Sequence, residues 1–137
     1  MGDVIRPFLV RSGRGDSPRS LRLYFDTGSP HTFIKTSCCA RFANVLELSE
    51  PVDFGGLGSG RFFARAFVHL EVRLLGIWCR HAAYVVDDDI LEPIYDVLVG
   101  HDLMQKYDIA VRTRAKHRGV VLNRDAIVMA QRVRHLG

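Results

Sequence analysis

The chain has 137 residues, 47% of them hydrophobic and 25% charged, which suits one globular domain with a buried core and excludes two full-sized ones. Nineteen Lys and Arg against 15 Asp and Glu leave a formal charge of +4. That excess is modest and spread along the chain, which argues against the concentrated basic footprint of a nucleic-acid binder. Three cysteines, two of them adjacent at Cys38 and Cys39, match neither a disulfide framework nor a zinc site and point to a reducing cytoplasm.

The first residues, MGDVIRPFLVRSG, combine an early acid, an early Pro and a short apolar stretch, so they read as neither secretory signal nor membrane span. Arg6 stands where a myristoylation pattern wants Ser or Thr. The expectation is a soluble, cytoplasmic protein with no membrane partner. VIRPFLV and SLRLYF flank the Gly, Ser and Pro-rich SGRGDSPR and predict a hairpin, with Leu21, Leu23 and Phe25 on one face. Asp26-Thr27-Gly28-Ser29 follows, and then the chain returns to apolar residues. Thr36 or Ser37 predicts the cap of a short helix through CCARFANVL.

DFGGLGSGRFF then sets Gly55, Gly56, Gly58 and Gly60 around Leu57 between two strand-like arms, as a mobile hairpin tip requires. Residues 62–74 alternate strongly. Phe62, Ala64, Ala66, Val68, Leu70, Val72 and Leu74 fall on one face, and Arg65, His69, Glu71 and Arg73 on the other. Gly76 permits a turn, and IWCRHAAYVV returns as an antiparallel partner until Asp87-Asp88-Asp89. DVLVG is an apolar run ending at Gly100, and a second short helix is expected over His101–Lys106. DIAVRT and GVVLN flank RAKHR as another hairpin, while AIVMAQRVR fits helix or strand equally. The sum is a mostly β chain with one or two short helices and no linker.

Each of the three glycine-bearing motifs has a plain alternative. DTGS can be an Asx-type turn in which Asp26 bonds its own backbone. The Gly55–Gly60 stretch can be an ordinary glycine turn, and Val97-Leu98-Val99-Gly100 an ordinary strand-to-helix turn. Taken together and in this order, the three resemble the retropepsins, the single-domain aspartic proteases of retroviruses and their cellular and prokaryotic relatives. Asp26-Thr27-Gly28-Ser29 corresponds to the catalytic motif, Gly55-Gly56-Leu57-Gly58 to the flap tip, and Val97-Leu98-Val99-Gly100 to the apolar-apolar-glycine element before the family's helix.

The resemblance covers about residues 5–122, leaving 123–137 as a C-terminal extension, either a dimer-interface segment or a loose end. It implies an all-β fold: a small closed β-barrel-like unit with a flap hairpin, assembled as a two-fold homodimer. It also implies an aspartic endopeptidase acting on peptide or protein substrates, without metal or cofactor. Two carboxylates share a proton around one water. Asp96, Asp102, Asp108 and Asp125 lack a following Thr-Gly or Ser-Gly, so the second carboxylate would be Asp26 of another copy. By the same resemblance Thr27 cross-links the two loops, Gly28 lets substrate backbone approach, and Ser29 bonds the carboxylate. Leu57 closes over substrate, and Phe33, Ile34, Phe54 and Val97 to Val99 wall the subsites.

Two positions depart from the viral pattern. An acid after the motif and an Arg after the later glycine are replaced by Pro30 and His101, so that local ion pair is absent. The rival reading is a retropepsin-like dimeric peptide-binding or scaffold module with little or no proteolysis. GRGDSP at 13–18 spells an integrin-adhesion peptide, but without secretion signal or disulfides it reads as turn composition. RTRAKHR at 112–118 reads as a solvated hairpin edge. Asp87–Asp89 and the six histidines lack the spacing of a calcium or zinc site.

Overall fold

The computed structural model describes residues 3–55, 60–114 and 116–136, with 133–136 as backbone. In chain order the elements are β1 (Ile5–Arg11), β2 (Arg19–Phe25), β3 (Phe33–Lys35), β4 (Val45–Phe54), β5 (Phe62–Leu74), β6 (Ile77–Val86), β7 (Val97–Val99), α1 (His101–Lys106), β8 (Ala110–Arg112), β9 (Gly119–Val121) and α2 (Arg124–Leu136). Single 3-10 turns cover Thr36–Cys39 and Asp88–Ile90.

Strands pair in the order β1-β2-β7-β3-β6-β5-β4, and β5 also meets β1, so six strands close on themselves while β4 hangs from β5 as one arm of a hairpin. Closure removes the two free edges that these strands would present as an open sheet. The alternation read along residues 62–74 decides which side of β5 faces inward: Phe62, Ala64, Val68, Leu70, Val72 and Leu74 are buried, whereas Phe63, Arg65, His69 and Arg73 are exposed. Glu71 is a buried exception on the polar face, accepting from Arg11 Nε at 3.0 Å. Leu21, Leu23 and Phe25 of β2 join the same core, together with Ile34, Val97 and Val99.

The β7 strand lies between β2 and β3, parallel to the first and antiparallel to the second. Residues 26–32, which join β2 to β3, must therefore arch over the C-terminal end of β7. That non-local insertion places the DTGS motif.

Two expectations need correction. No helix runs through CCARFANVL: the 3-10 turn stops at Cys39, no side chain caps it, and Val45 already pairs with Val68. Cys38, Cys39 and Phe42 are buried at helix-like spacing, but the need to pair β4 with β5 overrides that local preference. The tail is not a loose end. Asn123 caps α2 by accepting the Ala126 N–H at 3.1 Å, Ile127 is fully buried, and Gln131 donates to the Trp78 carbonyl of β6. The ambiguity at AIVMAQRVR resolves to helix.

In the GRGDSP loop the Asp16 carboxylate accepts the Ser12 N–H at 3.1 Å. The three cysteines are buried thiols. No helix among the described residues is long and apolar enough to cross a membrane.

The β5–β6 turn carries a strained residue. Leu74 pairs with Ile77, so Leu75 and Gly76 form a two-residue turn with φ of 51° and 77°. Such turns require the left-handed region at both positions, which suits Asn or Gly and costs a leucine about 1 kcal/mol. Leu75 is exposed and contributes little burial. Leu75→Asn is therefore expected to stabilise the fold by about 1 kcal/mol in urea unfolding, and a loss of stability would contradict this account of the turn.

Candidate active site

Asp26 begins the arch. Its N–H donates to the Val99 carbonyl at 2.9 Å, extending the β2–β7 pairing by one residue past the strand. Its carboxylate accepts the Gly28 N–H at 3.0 Å, and the Ser29 N–H closes the turn on the Asp26 carbonyl at 3.2 Å. These are the bonds of an Asx-type turn, so the plain alternative and the catalytic one share a geometry. A Cβ on Gly28 would stand 3.3 Å from the carboxylate oxygen, close enough to push it. Thr27 is exposed at the crown of the turn, whereas Ser29 is buried. The Ser29 hydroxyl donates to the His31 carbonyl at 2.8 Å, so the bond to the Asp26 carboxylate comes from Gly28 rather than from Ser29.

Four bonds fasten this arch to the β7–α1 junction. Beyond Asp26 to Val99, His101 N–H donates to the Ser29 carbonyl at 2.7 Å, Gly100 N–H donates to Thr32 Oγ1 at 3.1 Å, and Thr32 Oγ1 donates to Asp102 Oδ1 at 2.7 Å. Thr32 is 1% exposed, so its hydroxyl has to be satisfied within the protein, and it is satisfied on both sides. A Cβ on Gly100 would fall 2.1 Å from the His31 carbonyl oxygen, which is why this position accepts no side chain.

Asp102 ends the ladder. Besides Thr32 it accepts Leu103 N–H at 2.8 Å and His81 Nε2 at 3.0 Å. Burial, the largest single influence, pushes its pKa up, but the bonds from His81 and Thr32 and the charge of His81 outweigh it, and the net shift is downward. Near the arch, Tyr24 packs on Tyr95 at 5.0 Å and donates to Asp3. The Tyr24 phenol is pushed up to about 12, first by burial and then by the charges of Asp26 and Asp3, so it stays neutral beside the carboxylate.

A cleft of about 460 Å³ is lined by Asp26 and Gly28, by Phe33 and Phe62, and by Asp53, Phe54 and Gly55 of the β4–β5 hairpin. Phe33, Phe54 and Phe62 lie 5.0–5.4 Å apart as a continuous aromatic wall. His31 meets Phe54 edge-on at 5.4 Å. Phe33, Phe54 and Gly55 line this cleft with Asp26 and Gly28, while Gly56, Leu57 and Gly58 lie outside the described residues. Val99 does not: it is fully buried in the barrel core with Ile34, and it reaches the site through its carbonyl alone. His31, Phe62, His81 and Thr32 were missed as site residues. Phe62 carried a signal in its alternation toward the core beside the glycine tip; His81 carried none.

No protein-family model and no curated protein matches this sequence. Solved structures do. The EIAV protease, in complex with an inhibitor, superposes with a TM-score of 0.59 at 17% identity, over 82% of this chain and 94% of that one. The retroviral protease-like domain of Ddi1 from Leishmania major superposes with a TM-score of 0.54 at 13% identity, over 90% of this chain and 88% of that one. The fold is retropepsin-like. Within that retropepsin-like frame, Pro30 and His101 cannot form an ion pair across the arch. The backbone bond from His101 to Ser29 and the side-chain ladder from Thr32 to Asp102 and His81 join the same two segments instead.

Two outcomes follow from this clamp. Gly100→Ala should destabilise the chain by about 3 kcal/mol or more, since backbone rather than a flexible side chain must yield, and a variant with unchanged unfolding midpoint would refute the close pass. Asp102 has a folded pKa below its unfolded one, so its contribution is present above the unfolded value, near 3.9, and is lost as pH falls through the folded value. Asp102→Asn should accordingly be less stable than wild type at pH 7, with the gap closing toward pH 2 in thermal melts.

Proposed function

We propose that the chain is an aspartic endopeptidase that works as a homodimer, hydrolysing peptide bonds with a water held between two Asp26 carboxylates, one from each copy. The observation that carries this reading is the position of Asp26: its carboxylate borders the cleft on an exposed turn, opposite the base of a glycine-tipped hairpin. A single chain supplies one such carboxylate, and a two-fold axis beside Thr27 would supply the second. Two carboxylates at short range cannot both ionise comfortably and share one proton.

The ionised member takes a proton from the water as its oxygen attacks the scissile carbonyl, and the protonated member donates to the carbonyl oxygen. Collapse of the tetrahedral intermediate breaks the C–N bond, and the proton taken from water leaves on the amine. Neither metal nor covalent enzyme intermediate enters this scheme. Thr27 would cross-link the two arches, and the flap residues Gly55, Gly56, Leu57 and Gly58 would close over substrate and exclude water. Phe33, Phe54 and Phe62 favour hydrophobic side chains next to the cut. On this reading the whole chain acts as one domain, with residues 123–137 as its C-terminal extension, and its buried thiols suit a reducing cytoplasm.

The second reading, a dimeric peptide-binding module without turnover, draws on Pro30, which removes an acid that would hold substrate backbone. Peptide-library cleavage at mildly acidic pH separates the two. We expect Asp26→Asn to lower kcat by about a thousand-fold while the dimer mass in sedimentation is kept, and specific activity of the wild type to fall on dilution. Peptide binding without cleavage by the wild type would favour the module.

A further inference from the structure

Beside the catalytic cleft, and sharing His31 with it, lies a second cavity of about 420 Å³. It exists because β4 leaves its partner: Glu47 pairs with Ala66 and Val52 with Ala64, so the bulged residues between them arch outward and Leu48 and Val52 form a roof. At the opposite side stand His81 and Asp102. The His81 side chain is 13% exposed and that of Asp102 31%, so the pair is sheltered yet reachable by protons through the cavity.

An ionised carboxylate only accepts, so His81 Nε2 carries the hydrogen in this bond. Its carboxylate partner is the residue that orients Thr32, and Thr32 holds the Gly100 N–H under the arch. A chain of three side-chain bonds therefore runs from the middle of β6 to the peptide that passes beneath the catalytic turn. We propose that His81 is a positioning residue for the catalytic loop, anchoring Asp102 and Thr32 so that the Asp26–Ser29 turn keeps its register on Gly100 under acidic conditions. This rests on the endopeptidase reading for its effect on turnover, but not for its effect on the loop.

The chemistry favours acid tolerance. A carboxylate pair that shares one proton works below neutrality, where a carboxylate lock such as Asp102 is at risk of protonation. His81 answers that risk, because its bond and its charge are among the influences that hold the Asp102 carboxyl below its ordinary value. Few other charges compete. His31 and Tyr84 line the same cavity, and Leu70 lies opposite His81 on β5. The neighbouring Arg80 sits opposite Glu71, which is itself bonded to Arg11, and His69 sits opposite Ala82. On the α1 side, His101 is exposed and Lys106 donates to the Arg80 carbonyl at 2.9 Å, as Tyr107 does from its hydroxyl.

Amide hydrogen exchange and peptide kinetics between pH 4.5 and 7, on wild type, His81→Leu and His81→Gln, test the assignment. His81→Leu should lower the protection of the Gly100 and His101 amides about tenfold at both ends of the range while Val68 and Leu70 in β5 stay protected. It should also lower kcat about tenfold with KM within about twofold. His81→Gln keeps a donor without a charge, so it should restore protection and kcat at pH 7 yet lose both as pH falls, moving the acid limb upward by about half a unit or more. Unchanged Gly100 and His101 protection in His81→Leu, or a uniform loss across the barrel, would overturn the assignment. So would a His81→Gln variant that tracks wild type down to pH 4.5. Should wild type cleave no peptide, the endopeptidase reading fails and the exchange data still decide the role of His81.

Discussion

The passage of Gly100 beneath the His31 peptide is the constraint on which the site depends. Inserting β7 between β2 and β3 forces the connection between those strands to climb over the end of β7, and the climb is possible only where the lower chain has no side chain. The buried backbone groups at the crossing find partners in the Asp26–Val99 and His101–Ser29 bonds and, for the Gly100 N–H, in the Thr32 hydroxyl. The result is an arch whose ends are fixed by the barrel and whose crown, Thr27, is left exposed. A carboxylate on such an arch is held by the strand order of the whole molecule.

Two aspartates at this crossing have opposite surroundings. Asp102 is filled: Thr32, Leu103 and His81 supply donors to both of its oxygens. Asp26 accepts from Gly28 and borders open cleft. One carboxylate is committed to holding backbone in place, and the other is presented to whatever enters the cleft. That division follows from which side of the crossing each occupies, since the β6 side brings a histidine and the flap side brings phenylalanines with nothing to donate. The aromatic wall also keeps the cleft floor apolar, which strengthens any charge interaction that forms there once a partner loop or a substrate excludes water.

Local patterns carried much of this. The period-two run of residues 62–74 and its Gly76 turn are strong because β5 is long and buries one face, and Gly100 followed by His101, Asp102 and an apolar pair marks α1 where it stands. What sequence could not carry was non-local. The burial of Cys38, Cys39 and Phe42 mimics a helical face, and only the pairing of Val45 with Val68 shows why the helix stops. Val99 read as a cleft wall because its neighbours resemble a subsite lining, but β7 is buried on both faces, with Val97 and Val99 in one apolar cluster and Leu98 in another. The partnership of His81 with Asp102 joins residues 21 apart through the fold, with no spacing rule to betray it.

Half of the proposed site belongs to a second copy of the chain, and stoichiometry tests that claim most directly. Titration of the wild-type chain with a statine-type peptide inhibitor, followed by calorimetry and sedimentation together, should give one inhibitor bound per two chains, with the bound species at twice the chain mass. One inhibitor per chain on a species of single-chain mass would contradict the shared site.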